Sequence, residues 1–197
     1  MSHHYDAATA LVVVDVQNDF ADPGGSLYVH DGEAVVAPLN DEIDAARSAG
    51  ATVVLTQDWH PMESPHFTDG GGTWPRHCVR GTWGAELHHD LNADADLLLR
   101  KGTGGEDGYS AFTVIDPRTA ARSATGLAAY LDARGVTSVV IGGLAADVCV
   151  KATATDAHDA GFVTTVLWSM TRAVEIEPGD GDRARMGLVE AGVTVAG

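Results

Sequence analysis

Lysine is nearly absent from this chain. Of 12 basic side chains in 197 residues only two are lysines, Lys101 and Lys151, and 28 acidic residues leave a net charge of −16. So acidic a chain is repelled by phosphate backbones and anionic headgroups, which excludes nucleic acid and membrane surfaces as partners. Long apolar runs are missing too, and none approaches the ~20 residues that a membrane span needs. The stretch from Met1 to Asp6 lacks the basic and apolar regions of a signal peptide. Two cysteines, Cys78 and Cys149, make no disulfide framework, and without a Cys-x-x-Cys pair there is no structural zinc finger. The expected compartment is a reducing cytoplasm. The loop after the first apolar run is not Gly-x-Gly-x-x-Gly, which counts against dinucleotide binding.

What is present suits one α/β domain spanning residues 1–197. A hydrophobic content of 45% with 20% charged residues is enough for a sizeable core. Buried strands are expected at Ala10–Val16, Ala51–Thr56, Ala95–Leu99, from Val139 onward, Phe162–Leu167 and Val193–Ala196, from their β-branched or apolar runs. Helices are expected at 34–48, closed by Gly50, at 120–133, stopping at Gly135, from Asp147 to His158, and at 182–191. Alternation of this kind gives a mainly parallel six-stranded sheet with helices on both faces, a Rossmann-like topology. Residues 58–91 lack periodicity and are rich in Gly, His, Trp and Pro, as befits a functional insertion.

Three polar residues stand where predicted strands end: Asp15, Lys101 and Cys149. In a parallel sheet those ends share one edge, where ligands bind. Cys149 falls in the first turn of a helix, whose free N–H groups and dipole favour a thiolate. Lys101 offers a neighbouring cation and Asp15 an acceptor for the thiol proton. The bland alternative is an Asp15–Lys101 ion pair beside a passive thiol. The insertion supplies a second set, Asp58-x-His60, His66 and Trp74-Pro75-Arg76-His77-Cys78. Imidazole and carboxylate together suit Zn²⁺, Fe²⁺ or Mn²⁺, and Cys78 is a further ligand candidate on chemical grounds.

Taken together, Asp15-Val16-Gln17-Asn18-Asp19-Phe20, Asp58-Trp59-His60-Pro61, the Trp74–Cys78 stretch, Lys101-Gly102, Tyr109-Ser110-Ala111-Phe112 and Gly143-Leu144-Ala145-Ala146-Asp147-Val148-Cys149-Val150 resemble the nicotinamidase (pyrazinamidase) branch of the isochorismatase-like cysteine hydrolases. The resemblance covers essentially the whole chain. It implies hydrolysis of nicotinamide to nicotinate and ammonia, in the service of NAD salvage, with pyrazinamide-like analogues as further substrates. It also implies roles: Cys149 the nucleophile, Asp15 the proton acceptor and donor, Lys101 their electrostatic partner. A cis peptide before Ala145 would let the N–H groups of Ala145 and Cys149 form the oxyanion hole. Phe20, Trp74 and Tyr109 would contact substrate. Asp58, His60 and His77 would hold one divalent metal ion, Zn²⁺ first with Fe or Mn as alternatives, and His66 matches a fourth ligand that some members use. Assembly into a homo-oligomer is open.

Two other readings use the same residues. Hydrolases of N-carbamoyl amides or of ureidoacrylate share the Asp–Lys–Cys centre but lack the metal loop. A non-catalytic metal-binding α/β protein would keep the loop and use the triad as a structural ion pair.

Overall fold

The computed structural model describes residues 3–197, so Met1 and Ser2, part of the stretch scanned for a leader, lie outside it. Its framework is a parallel sheet of six strands: β1 (Thr9–Val14), β2 (Thr52–Asp58), β3 (Leu97–Lys101), then, after a hairpin of β4 (Thr113–Ile115) and β5 (Arg122–Ala124), β6 (Ser138–Leu144), β7 (Val163–Arg172) and β8 (Thr194–Ala196). The order across the sheet is β3-β2-β1-β6-β7-β8. The chain winds outward from β1 in one direction and from β6 in the other, so the order reverses between these two neighbours. A crevice opens at the carboxyl ends of the strands at such a reversal, and it is the expected ligand site of an open α/β sheet.

Alternation along β1 builds two cores. Leu11 and Val13 pack on one face with Leu39 and Ile43 of α2 (Val36–Ser48). Ala10, Val12 and Val14 face the other side, against Leu127 and Leu131 of α3 (Leu127–Asp132), Ala154 and Ala157 of α4 (Lys151–Asp159) and Leu188 of α5 (Asp180–Glu190). β1 is buried along its whole length, which explains its unbroken apolar reading. Gly143 marks the tightest approach. Its φ is +113° and a Cβ there would lie 2.1 Å from the Val14 carbonyl oxygen, so only glycine lets β6 sit against β1 at this point.

The sequence reading errs at 120–133, where a single helix was expected. Arg122–Ala124 instead pairs antiparallel with Thr113–Ile115, and helix begins only at Leu127, after Gly126 at φ +94°. Helix-favouring alanines lost to strand pairing and a left-handed glycine. The short helix α1 (Asn18–Ala21) also escaped the sequence reading, being a single turn with no room for periodicity. Among the described residues no helix is long and apolar enough to cross a membrane.

Candidate active site

The ends of four neighbouring strands supply the polar residues. Asp15 follows β1, Asp58 ends β2, Lys101 ends β3, and β6 runs into the turn that carries Cys149. Asp15 adopts φ +48°, a conformation that asparagine and aspartate tolerate best among residues with a Cβ, and it turns the chain out of the sheet. The Thr56 hydroxyl, on the neighbouring strand, accepts from the Asp15 N–H (3.1 Å) and donates to Asp15 Oδ1 (2.5 Å). Lys101 is fully buried and its three protons find acceptors: Asp15 Oδ2 at 2.7 Å, Asp58 Oδ1 at 2.9 Å and the Gly108 carbonyl. Gly108 allows this approach because a Cβ on it would come within 2.8 Å of the Lys101 Cβ. Cys149 Sγ and an oxygen of each carboxylate, Asp15 and Asp58, lie within 4.8 Å of one another.

Electrostatics set the resting protonation. Burial pushes the Asp15 carboxyl up to about 6 against the pull of the Lys101 ammonium. Burial opposes the Lys101 charge, yet Asp15 and Asp58 outweigh it and hold the ammonium firmly protonated. Cys149 departs from expectation. Burial lifts its thiol well above the usual range although Lys101 pulls the other way, so the resting group is a thiol rather than a standing thiolate. It sits in a π-helical turn, Ala146–Val150, ahead of α4, instead of an ordinary first α-turn. The peptide bond between Leu144 and Ala145 is cis. The N–H groups of Val148 and Val150 both donate to the Ala145 carbonyl, and the Ala145 N–H takes no part in these bonds.

Beside this cluster the insertion folds its imidazoles together. Ring nitrogens of His60, His66 and His77 lie within 4.8 Å of one another, all three residues buried. Asp58 Oδ2, the oxygen that Lys101 leaves free, is 3.9 Å from His60 Nε2 and 4.0 Å from His77 Nε2. Burial outweighs Asp58 and holds the His60 ring down to about 4, and it lowers His77 too, so both rings are neutral with lone pairs available. Neither nitrogen of His60 has a hydrogen-bond partner, an expensive state for a buried imidazole. His77 Nδ1 bonds to the Pro75 carbonyl (2.8 Å) and His66 Nδ1 to Asp107, which leaves each Nε2 free. Neutral imidazoles and one carboxylate, with an orphaned buried nitrogen among them, fit a divalent transition-metal ion. Cys78 stands apart, its Sγ 4.0 Å from the Gly84 carbonyl.

A cleft joins the two clusters. Phe20, Trp74, Tyr109, Leu27, Val148 and Val174 give it apolar walls, while Asp58, His66, His77, Ala145 and Cys149 reach its lining. Trp74 Nε1 donates to the Tyr109 hydroxyl at 2.9 Å. Of the residues expected at the site, Phe20, Asp58, His66, Trp74, His77, Tyr109, Ala145 and Cys149 line this cleft, Asp15, His60 and Lys101 stand behind it in contact with them, and Cys78 alone lies apart. The sequence reading missed the supporting residues. Gln17 bonds both the N–H and the carbonyl of Asp58 (2.8 Å each), and Asp147 accepts from the N–H groups of Val174 and Glu175 (2.9 Å each). Both lie inside the quoted motifs, a signal that was available. Asp107 lies outside them.

Residues 9–186 match the isochorismatase domain model. The chain is 36% identical to the nicotinamidase of Escherichia coli over 94% of its own length and 93% of that protein. Among solved structures it resembles PnC1 from L. infantum in complex with nicotinate, with TM-score 0.87, 36% identity, and 99% and 96% of the two chains covered. The pyrazinamidase of Pyrococcus horikoshii in complex with zinc gives TM-score 0.82 and 36% identity, over 96% of this chain and 98% of that one.

Proposed function

The chain belongs to the isochorismatase family, and we infer that within it the protein is a nicotinamidase, hydrolysing nicotinamide to nicotinate and ammonia through a thioester on Cys149. The observation that carries the reading is a single cleft with a thiol and carboxylate at one end, an imidazole cluster at the other, and aromatic walls between. On this reading the aromatic walls take the flat pyridine ring, with its carboxamide toward the thiol and its ring nitrogen toward the imidazoles.

Asp15, ionised at neutral pH, takes the Cys149 proton as the sulfur attacks the carboxamide carbon. Because the thiol starts protonated, acid–base work by Asp15 is required at this step, a contribution of about 10²–10⁴ in rate. The N–H groups of Ala145 and Cys149 receive the oxyanion, and a lost donor of this kind costs about 2.7–4 kcal/mol. Protonated Asp15 then gives its proton to the departing nitrogen, and ammonia leaves a thioester. Water attacks that thioester, passing one proton to Asp15, which returns it to the sulfur as nicotinate is released. Lys101 keeps Asp15 ionised between these transfers and fixes it against Asp58.

Asp58, His60, His66 and His77 are the residues that would hold a divalent cation, Zn²⁺ foremost. Bound there, it supplies a Lewis-acidic partner for the ring nitrogen, which orients the substrate. The test is ammonia release from nicotinamide by wild type and Cys149→Ala, with mass spectrometry of an acid-quenched single turnover. Wild type should turn over and show a nicotinoyl adduct on Cys149, and the variant should fold, bind metal and release almost no ammonia. An adduct on Cys78, or full activity in the variant, would sink the assignment.

A further inference from the structure

We propose that Asp107 is a positioning residue for the metal centre: it fixes the ring of His66, and the β4–β5 hairpin fixes Asp107. The proposal rests on the reading that the Asp58, His60, His66 and His77 set takes a divalent cation. The three imidazoles are supported in different ways. His77 is braced from its own loop, through Nδ1 on the Pro75 carbonyl, and the His60 ring nitrogens have no protein partner at all. His66 alone is held by a carboxylate from a distant part of the chain, Oδ1 of Asp107, 41 residues onward.

A carboxylate on Nδ1 does two things to an imidazole. It keeps the proton on that nitrogen, leaving the Nε2 lone pair for a cation, and it locks the ring's rotation while raising its donor strength. His66 lies in a loop with no strand or α-helix, its N–H on the Ser64 hydroxyl at 3.2 Å and its carbonyl taking the Trp74 N–H at 3.5 Å, so its ring has no regular element to fix it. Asp107 is itself clamped. Its N–H donates to the Ile115 carbonyl (2.7 Å) and its carbonyl accepts from the Ile115 N–H (3.1 Å). The hairpin is pinned in turn to α4, where Asp156 accepts from the Thr113 hydroxyl (2.5 Å) and from Arg122 (2.8 Å). A continuous series of bonds thus runs from the helix behind Cys149, through a hairpin with one half-buried and one exposed strand, to one imidazole. This gives the hairpin a purpose that the nucleophile end of the cleft does not require.

Metal affinity is the direct readout. The full chain, stripped and dialysed, is titrated with Zn²⁺ against a chromophoric chelator for wild type, Asp107→Ala, Asp107→Asn, His66→Ala and the double variant Asp107→Ala/His66→Ala. Asp107→Ala should weaken Zn²⁺ binding about 10- to 100-fold, the usual cost of losing such a partner. Asp107→Asn keeps an acceptor oxygen for Nδ1–H and should recover most of the affinity, which also guards against a misfolded alanine variant. The double variant should bind no more weakly than His66→Ala, because Asp107 acts through that ring. Wild-type affinity in Asp107→Ala, or additive losses in the double variant, would overturn the proposal. Failure of wild type to take Zn²⁺ would instead overturn the metal reading, and unchanged binding in His66→Ala would remove His66 from the ligand set, and the proposal with it.

Discussion

The two ends of the cleft differ in how their buried polar atoms are satisfied. At the thiol end every charge has its counterpart: Lys101 spends three protons on Asp15, Asp58 and Gly108, and both oxygens of Asp15 are bonded. At the imidazole end neither His60 nitrogen has a hydrogen-bond partner, and Asp58 Oδ2 lies 3.9 Å from His60 Nε2 and 4.0 Å from His77 Nε2. Strand ends built the first cluster and need nothing further. The second gathers three imidazoles, His60 and His77 held neutral by burial, beside the remaining oxygen of Asp58. Asp58 belongs to both, one oxygen to each. The two ends divide the labour, with bond making at one and substrate orientation at the other, and perturbing each in turn tests how separable they are.

Removing the Lys101 ammonium should have the largest effect. Lys101→Ala leaves two buried carboxylates without their counter-charge, so burial and mutual repulsion drive the Asp15 carboxyl above neutrality. Asp15 then cannot accept the thiol proton, and kcat/KM should fall about 10²–10⁴-fold. Breaking a buried pair costs about 3–5 kcal/mol, inside the stability of an ordinary domain. Alkylation of Cys149 by iodoacetamide should shift to higher pH, because Lys101 is what pulls its thiol down. An unchanged alkylation profile would mean that Lys101 does not act on the sulfur.

His77→Ala attacks the other end. It should weaken metal binding and cut nicotinamide turnover by about 100-fold, at the upper end of the losses caused even by indirect partners of a metal. Alkylation of Cys149 should stay near wild type. Benzamide, with the same ring and carboxamide but no ring nitrogen, should be a poor substrate that the substitution affects much less. Equal losses of kcat/KM on both substrates would show that the two ends of the cleft are not separable in this way.

Acid should weaken the thiol end in a graded manner. With Asp15 titrating at about 6, kcat/KM should fall roughly tenfold for each pH unit below that value as the acceptor becomes protonated. The sign for stability is opposite. The folded pKa of Asp15 lies above the ~3.9 of an unfolded aspartate, so between these values the native state binds the extra proton and this group stabilises it on acidification. Circular dichroism at each pH separates the two effects. An activity profile flat from pH 7 to 5 would remove Asp15 as the base.

The difference between the clusters also explains what could be read from the sequence. β1 and β6 are buried on both faces, so their apolar runs announced a parallel sheet, and polar residues at the strand ends announced the edge where Asp15, Lys101 and Cys149 meet. The imidazole set was visible as composition, a His-rich stretch without periodicity, and its sorting into roles came from the family resemblance. Contacts across the chain were not legible. Nothing near Asp107 marks it as the partner of His66, because that pairing arises only once β4 and β5 form, and the alanines at 120–121 and 124 pointed to helix instead. The balance of effects on Cys149 was hidden for a related reason. A helix start and a nearby lysine favour a thiolate, but burial, a tertiary property, pushes the thiol up against the pull of Lys101.

The smallest effect should come from the wall between the two ends. Trp74 is partly buried and its indole N–H donates to the Tyr109 hydroxyl, which ties one side of the cleft to the loop that carries Gly108. Tyr109→Phe keeps the ring and its apolar area but leaves that N–H without its partner. A neutral hydrogen bond contributes about 0.5–1.5 kcal/mol net. At about 1.4 kcal/mol per tenfold, this is a change of about 2- to 12-fold. The wall grips the flat ring alike before and during attack on the carboxamide, so the loss should fall on KM with kcat near wild type. Initial rates of ammonia release over a range of nicotinamide concentrations give both constants. A fall in kcat at unchanged KM would place Tyr109 at the reacting carbon, because only a contact that strengthens in the transition state lowers kcat when it is removed.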